Sequence, residues 1–260
     1  MAYDAFGKIW DGLLKEEDLG EFIKVHICER KPFLDLIQRY VERLKLESKG
    51  QVHVLEIGCG TAIDSYCTVE RTKVDAWAID ISDKAIEVAE RIGKHFNSKI
   101  TLMISDITRT AFKDGFFNLI FSQGVVEHFR DPLQVIKEQS RLLQDGGYLI
   151  IDVPQKYNVY SIYRKLLIMI NRWPYGWERG YSIFELRRLG KLAGLQEIEA
   201  FGRGLTSELS KSKQFHIAAF GMVYNFVMKR FSRIFYKFSV FFLQDITVVY
   251  LKKRGIPKDE

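Results

Sequence analysis

From Val52 onward, short apolar runs alternate with amphipathic stretches. The runs are Val52–Ile57, Val74–Ile79, Ile100–Ile104, Phe116–Phe121 and Tyr148–Val153. Their apolar character predicts strands covered on both faces. Between them, Ser82–Phe96 and Leu133–Leu143 read as helices, the first capped by Ser82 and the second started by Asp131 and Pro132. Repeated strand-helix units predict an α/β fold with a doubly wound, mainly parallel sheet. Gly146 and Gly147 mark the turn into the fifth strand. A helix opened by Ser182 and Glu185 as a capping box and stopped by Gly194 then leads to a sixth strand, Leu195–Phe201, and a seventh, Ile246–Arg254.

The flanks follow a different period. After Pro32, the residues Phe33, Leu36, Ile37, Tyr40, Val41 and Leu44 recur at three and four, which predicts a helix with one apolar face ending at Gly50. Phe215–Leu243 is rich in Phe, Tyr, Val and Met, carries Lys229, Arg230, Arg233 and Lys237, and has no acid before Asp245. Its chargeless part, Gln214–Met228, falls short of the roughly 20 residues that span a bilayer. Three readings stay open: a lid over an apolar acceptor, an interfacial helix on anionic lipid, or a helix packed on the core or in a homodimer. The chain divides into a helical cap (1–50), a ligand-binding core (51–155), an aromatic insert (156–181), and the rest of the core (182–254) with a helical insert at about 206–243.

With 260 residues, 47% of them hydrophobic, the chain can bury a large core without disulfide staples. Cys28, Cys59 and Cys67 lack zinc or thioredoxin spacing, and no basic segment leads into an apolar run at the amino terminus. Both point to a cytoplasmic protein, with membrane contact at most peripheral. The charge is uneven: residues 1–150 carry 20 Lys and Arg against 24 Asp and Glu, whereas residues 151–260 carry 19 against 9. A basic second part suits an acidic substrate, a lipid surface or nucleic acid, or is a solvated face.

The candidate chemistry gathers at strand ends. VLEIGCGTA, Val54–Ala62, breaks from a strand into Gly58, Cys59 and Gly60, where bare backbone can approach a ligand. Ile63 stands where the nicotinamide fingerprint needs its third glycine, so a dinucleotide is not indicated. Glu56 suits a cationic ligand end and Asp80, closing the second run, a ribose diol. Asp106 follows the third strand and either meets a ligand or caps its own turn.

These residues resemble the glycine-rich loop of class I S-adenosylmethionine-dependent methyltransferases. FSQGVVEHFRDP (Phe121–Pro132), RLLQDGGYLIIDVP (Arg141–Pro154) and GYSIFELRRLGKLAGLQ (Gly180–Gln196) extend the likeness to the small-molecule enzymes of ubiquinone and menaquinone biosynthesis, over roughly Val52–Gln196. The resemblance implies a Rossmann-like seven-stranded sheet with its last strand antiparallel. It implies S-adenosylmethionine as cofactor, left as S-adenosylhomocysteine, held by Glu56, Gly58, Cys59, Gly60, Thr61, Asp80, Ile81, Asp106, Ile107, Gln123 and Gly124. Ala62 departs from the pattern, since a third glycine is common there, and its methyl is expected to narrow the methionine pocket.

His128, on the loop after the fourth strand, is the candidate base for a hydroxyl acceptor; otherwise it ties that loop. Glu127 would orient it, and adjacent ligand types make a poor metal signature, so no metal is expected. Tyr157, Tyr160, Trp173 and Trp177, in the insert where this family carries its acceptor lid, are candidate substrate contacts. The expected acceptor is a small molecule, apolar, quinol-like, glycan or lipid-linked. RNA or protein methylation through the basic half and a noncatalytic cofactor-binding protein are the alternatives. Nucleic acid is disfavoured: Ser122–Val125 lacks the adenine-amine signature, and no cysteine follows Cys67 to serve cytosine chemistry.

Overall fold

The computed structural model describes residues 6–15, 19–47, 50–170, 173, 177–203, 226, 236–241 and 243–253, with the backbone alone at 159, 160, 163 and 236–238. Seven strands form one sheet: β1 (His53–Ile57), β2 (Asp75–Asp80), β3 (Thr101–Ile104), β4 (Phe117–Gln123), β5 (Leu143–Pro154), β6 (Leu195–Arg203) and β7 (Asp245–Lys252). Their order is β3-β2-β1-β4-β5-β7-β6. The first five pair in parallel, and β7 runs antiparallel to both β5 and β6. The order reverses between β1 and β4, so their carboxyl ends splay and open a crevice, the usual ligand position of such sheets.

The near-continuous apolar strands are explained by helices on both faces. Along β1, Val54 enters one cluster with Phe33, Ile37 and Val41, while Leu55 and Ile57 enter another with Ile120, Leu149 and Ile151. Successive side chains thus go to opposite faces, and both are dry. The helices are α1 (Gly7–Lys15), α2 (Gly20–Glu47), α3 (Ile63–Thr72), α4 (Asp83–Gly93), α5 (Pro132–Leu142), α6 (Val159–Met169) and α7 (Ile183–Leu192). The predicted caps are present: Ser82 accepts from the Ala85 amide, Asp131 from the Leu133 and Gln134 amides, and Ser182 with Glu185 closes a capping box.

Three sequence expectations need correction. Pro32 does not start a helix but lies within α2, which runs 28 residues. The proline removes one amide bond to the exposed Cys28, whereas the buried stripe from Ile23 to Leu44 holds the helix on both sides of it. Helix α4 stops at Gly93 rather than Phe96; His95 and Phe96 continue in three-residue turns, and Phe96 stacks on Tyr66 at 5.0 Å. Gly146 and Gly147 lie inside β5, in an irregularity where the register against β4 shifts between Phe117 and Leu119.

Of the predicted insert at 206–243, only residues 226, 236–241 and 243 are described: Tyr236–Phe241 is a short 3-10 helix whose Ser239 and Val240 are buried against β6, where Ser239 Oγ accepts the Gly202 amide, and the rest of Phe215–Leu243 lies outside the described residues, as does the tail from Pro257. No helix among the described residues is long and apolar enough to cross a membrane.

Candidate active site

Strand β1 ends at Ile57, and the chain turns through Gly58 at φ 64° and Gly60 at φ 50°. Both angles favour glycine. A Cβ at Gly58 would come 2.4 Å from a Val125 methyl, so this loop and the one after β4 pack too closely for a side chain. The Asp80 carboxylate holds the turn: Oδ2 accepts the Gly60 amide at 3.0 Å and Oδ1 the Ser82 amide at 2.9 Å. Burial raises the Asp80 pKa, and these amides oppose the rise. Each oxygen keeps a second lone pair. Ala62 adopts φ 52° at the start of α3, and its methyl is fully buried beside Cys59, Ile63 and Tyr66. The methyl therefore goes into the core and does not narrow the cavity.

A cavity of about 700 Å³ opens over these strand ends. Gly58, Gly60, Asp80, Ile81, Asp106, Ile107, Gln123, Gly124, His128 and Trp173 all line it, which brings together most of the residues expected from sequence. Asp106 caps its own turn, with Oδ1 accepting the Thr108 amide and hydroxyl, each at 2.8 Å, and it also lines the cavity. Phe6, Trp10 and Arg30 come in from the amino-terminal segment.

Other expected residues lie elsewhere. Glu56, Cys59 and Thr61 border a second cavity of about 560 Å³ under α1 and α2, which shares Trp10, Arg30 and Gly60 with the first. The Glu56 carboxyl is bonded to the Ser65 amide at 3.1 Å and to its hydroxyl, and burial pushes its pKa to about 8. Burial likewise pushes the Cys59 thiol up, away from reactivity. Burial works against the Arg30 charge, but a bidentate pair with Asp64 more than restores it. Tyr157, two residues after the Gln155–Tyr181 bridge, is 66% exposed, with its ring under the Lys156 ammonium. Trp177 is 41% exposed beneath Arg130, and only the backbone of Tyr160 is described, on α6.

His128 lies in the short 3-10 helix Val126–His128 that follows β4. Its Nδ1 is 3.1 Å from the Trp177 carbonyl, which can only accept, so the neutral ring carries its proton on Nδ1 and leaves Nε2 as an acceptor. Phe6 meets the ring edge-on at 5.5 Å. Glu127 does not orient His128. Its side chain turns inward to its own amide, its Oε2 is buried with no hydrogen-bond partner, and burial raises its pKa well above the usual range.

Glu127, Arg164, Glu178, Gln244 and Asp245 also line the cavity and make up a charged chamber within it. Arg164, buried on α6, lies 3.1 Å from Glu178, and Arg203 pairs with Asp152 behind Asp245. Sequence reasoning missed Glu178 and Asp245. Asp245 opens β7 and could have been found as an acid beside a strand end, but Glu178 lies in an irregular segment with no periodic signal. Among the described residues no group of three His, Cys, Asp or Glu is placed to hold a metal ion.

Comparison with known proteins agrees with this geometry. Residues 55–151 match the family model described as a methyltransferase domain. Phosphoethanolamine N-methyltransferase 3 of Arabidopsis thaliana is 25% identical over 178 residues, covering 65% of this chain and 34% of the relative. Ubiquinone biosynthesis O-methyltransferase of Coxiella burnetii is 28% identical over 111 residues, covering 43% of this chain and 46% of the relative. The chain thus spans less than half the length of either. A solved S-adenosylmethionine-dependent methyltransferase of Thermotoga maritima shares the fold at a TM-score of 0.60 and 17% identity, covering 97% of this chain and all of that one. The strand order, the stapled glycine turn and the matched domain agree: residues 55–151 are a methyltransferase domain, set in a sheet of the kind that class I S-adenosylmethionine-dependent methyltransferases share.

Proposed function

We propose that this chain transfers the methyl group of S-adenosylmethionine to a small molecule seated in the charged chamber. The observation that carries the reading is continuity: one cavity joins Gly58, Asp80 and Asp106 to His128, Trp173 and Asp245. The first three fit the cofactor. Two glycines leave the backbone bare, Asp80 keeps a lone pair on each oxygen for a ribose diol, and the buried Gln123 Oε1 has no partner of its own. Bound there, S-adenosylmethionine supplies an electrophilic methyl on a sulfonium.

The protein's own work is then alignment, exclusion of water and removal of a proton. Alignment alone is worth about 7–11 kcal/mol of barrier. Phe6 and Trp10 wall the cavity from the α1 side, and His128 Nε2 is the acceptor for the proton that the nucleophile loses. Relatives named for nitrogen and for oxygen methylation both fit this division of labour. Incubation with methyl-labelled cofactor and a panel of phenols, quinols, amines, glycans and lipid-linked acceptors tests it. Label is expected in one product class, and His128→Ala should cut turnover with cofactor affinity unchanged. An unaltered rate would remove His128 from the mechanism, and cofactor binding with no product from any acceptor would favour the noncatalytic reading.

A further inference from the structure

Resting on the methyltransferase reading, we propose that the acceptor enters as an ammonium cation and that Glu127, Glu178 and Asp245 form its recognition site. Among the described residues, the chamber has more acid than base. Four carboxyl groups among them, Glu127, Asp152, Glu178 and Asp245, interact through one electrostatic neighbourhood with the guanidiniums of Arg164 and Arg203, and Arg30 reaches it only through Asp152. Arg164 sits against Glu178, and Arg203 is bidentate on Asp152. Glu127 and Asp245 therefore face the cavity without a cation of their own. The cavity's other arginines do not supply one: Arg30 is paired with Asp64, and Arg130 is exposed, stacked over the Trp177 ring at 5.4 Å.

A surplus of buried carboxyl groups alone would not indicate a ligand. The second observation is Glu127 Oε2, in a residue 98% buried, bordering the cavity and accepting no hydrogen bond. An acceptor-only oxygen in that position calls for a donor, and an ammonium brings both donors and charge. Burial raises the pKa of both Glu127 and Asp245, as it does for carboxyl groups held away from water, and a bound cation would oppose that rise. A neutral hydroxyl would supply one donor and no charge.

The step balances with the groups present. The bound ammonium gives one proton to His128 Nε2. The freed nitrogen lone pair forms the bond to the methyl carbon as the carbon-sulfur bond breaks, and that electron pair stays on sulfur. The products are an N-methylammonium and a neutral thioether, and the imidazolium returns its proton to water.

The test is binding to the full chain loaded with S-adenosylhomocysteine, using 2-phenylethylamine and cyclohexylamine against 2-phenylethanol and cyclohexanol as probes in calorimetry. Each amine is expected to bind at least tenfold more tightly than its alcohol, with protons released on binding. Glu127→Gln and Asp245→Asn should each erase most of that preference while S-adenosylhomocysteine binds as before. Equal binding of amines and alcohols, or a preference that both variants keep, would overturn the proposal. So would a variant effect confined to S-adenosylmethionine over S-adenosylhomocysteine, which would assign the carboxyl groups to the sulfonium. Failure of S-adenosylhomocysteine itself to bind would instead strike the methyltransferase reading.

Discussion

Asp80→Asn separates the two jobs given to one carboxylate. Both oxygens accept backbone amides, from Gly60 at 3.0 Å and Ser82 at 2.9 Å. Asparagine keeps the shape but turns one acceptor into a donor, so one of those amides faces an NH₂ group. An orphaned buried amide costs about 1–3 kcal/mol, which at this chain length lowers Tm by roughly 2–12 °C. The cofactor loses more specifically. Hydrogen bonds from ribose hydroxyls to a carboxylate contribute about 1.5–3 kcal/mol, so the Kd of S-adenosylhomocysteine should rise roughly 10- to 150-fold. Calorimetry reads the affinity and a thermal scan the stability. The discriminating pair is adenosine and 2′,3′-dideoxyadenosine: the native protein should prefer adenosine, and Asp80→Asn should lose that preference. A lowered Tm with the preference intact would mean that Asp80 only staples the glycine turn, and the ribose assignment would be wrong.

Three further outcomes follow from single residues. Lys73 is exposed at φ 53° just after α3, so Lys73→Gly should relieve about 1–2 kcal/mol of left-handed strain, less roughly 0.4–1 for added chain freedom, and raise Tm slightly in a thermal scan. A Cβ at Gly190 would lie 2.3 Å from the Tyr250 ring, whose hydroxyl donates to the Leu186 carbonyl, so Gly190→Ala should cost about 1–3 kcal/mol or more by urea unfolding. Glu56 and Asp245, both pushed to about 8, bind protons more tightly folded than unfolded. Their contribution to stability is whole below about pH 4 and drains as pH rises toward about 8, so Tm should fall across that window and Glu56→Gln should flatten the slope.

Most of the sheet was legible because its central strands, β1 and β4 above all, are dry on both faces and end in residues with only one convenient use. Gly58, Asp80 and Asp106 could be found from position alone, since each follows an apolar run and strand ends converge at the switch between β1 and β4. Glu56 misled for the same reason: it lies on the strand rather than beyond it, so its side chain goes under the loop to Ser65. Pro32 misled because local backbone rules know nothing of the buried stripe that holds α2 together. The charged chamber was the least visible part. Glu127, Arg164, Glu178 and Asp245 come from four segments scattered over more than a hundred residues, and only the closed sheet brings them to one place.

The position of β7 has a consequence for the order in which this protein becomes itself. The final strand in sequence is an interior strand of the sheet, inserted between β5 and β6 through residues that include Asp245 at its first position. On the ribosome, β1 to β5 can assemble while β5 still shows a bare edge, and an unpaired edge invites the wrong neighbour. Closure of that gap and completion of the chamber floor are the same event. A nascent chain can therefore fold β1 to β5 early, but the cavity lacks its Asp245 wall until β7 has been made and inserted.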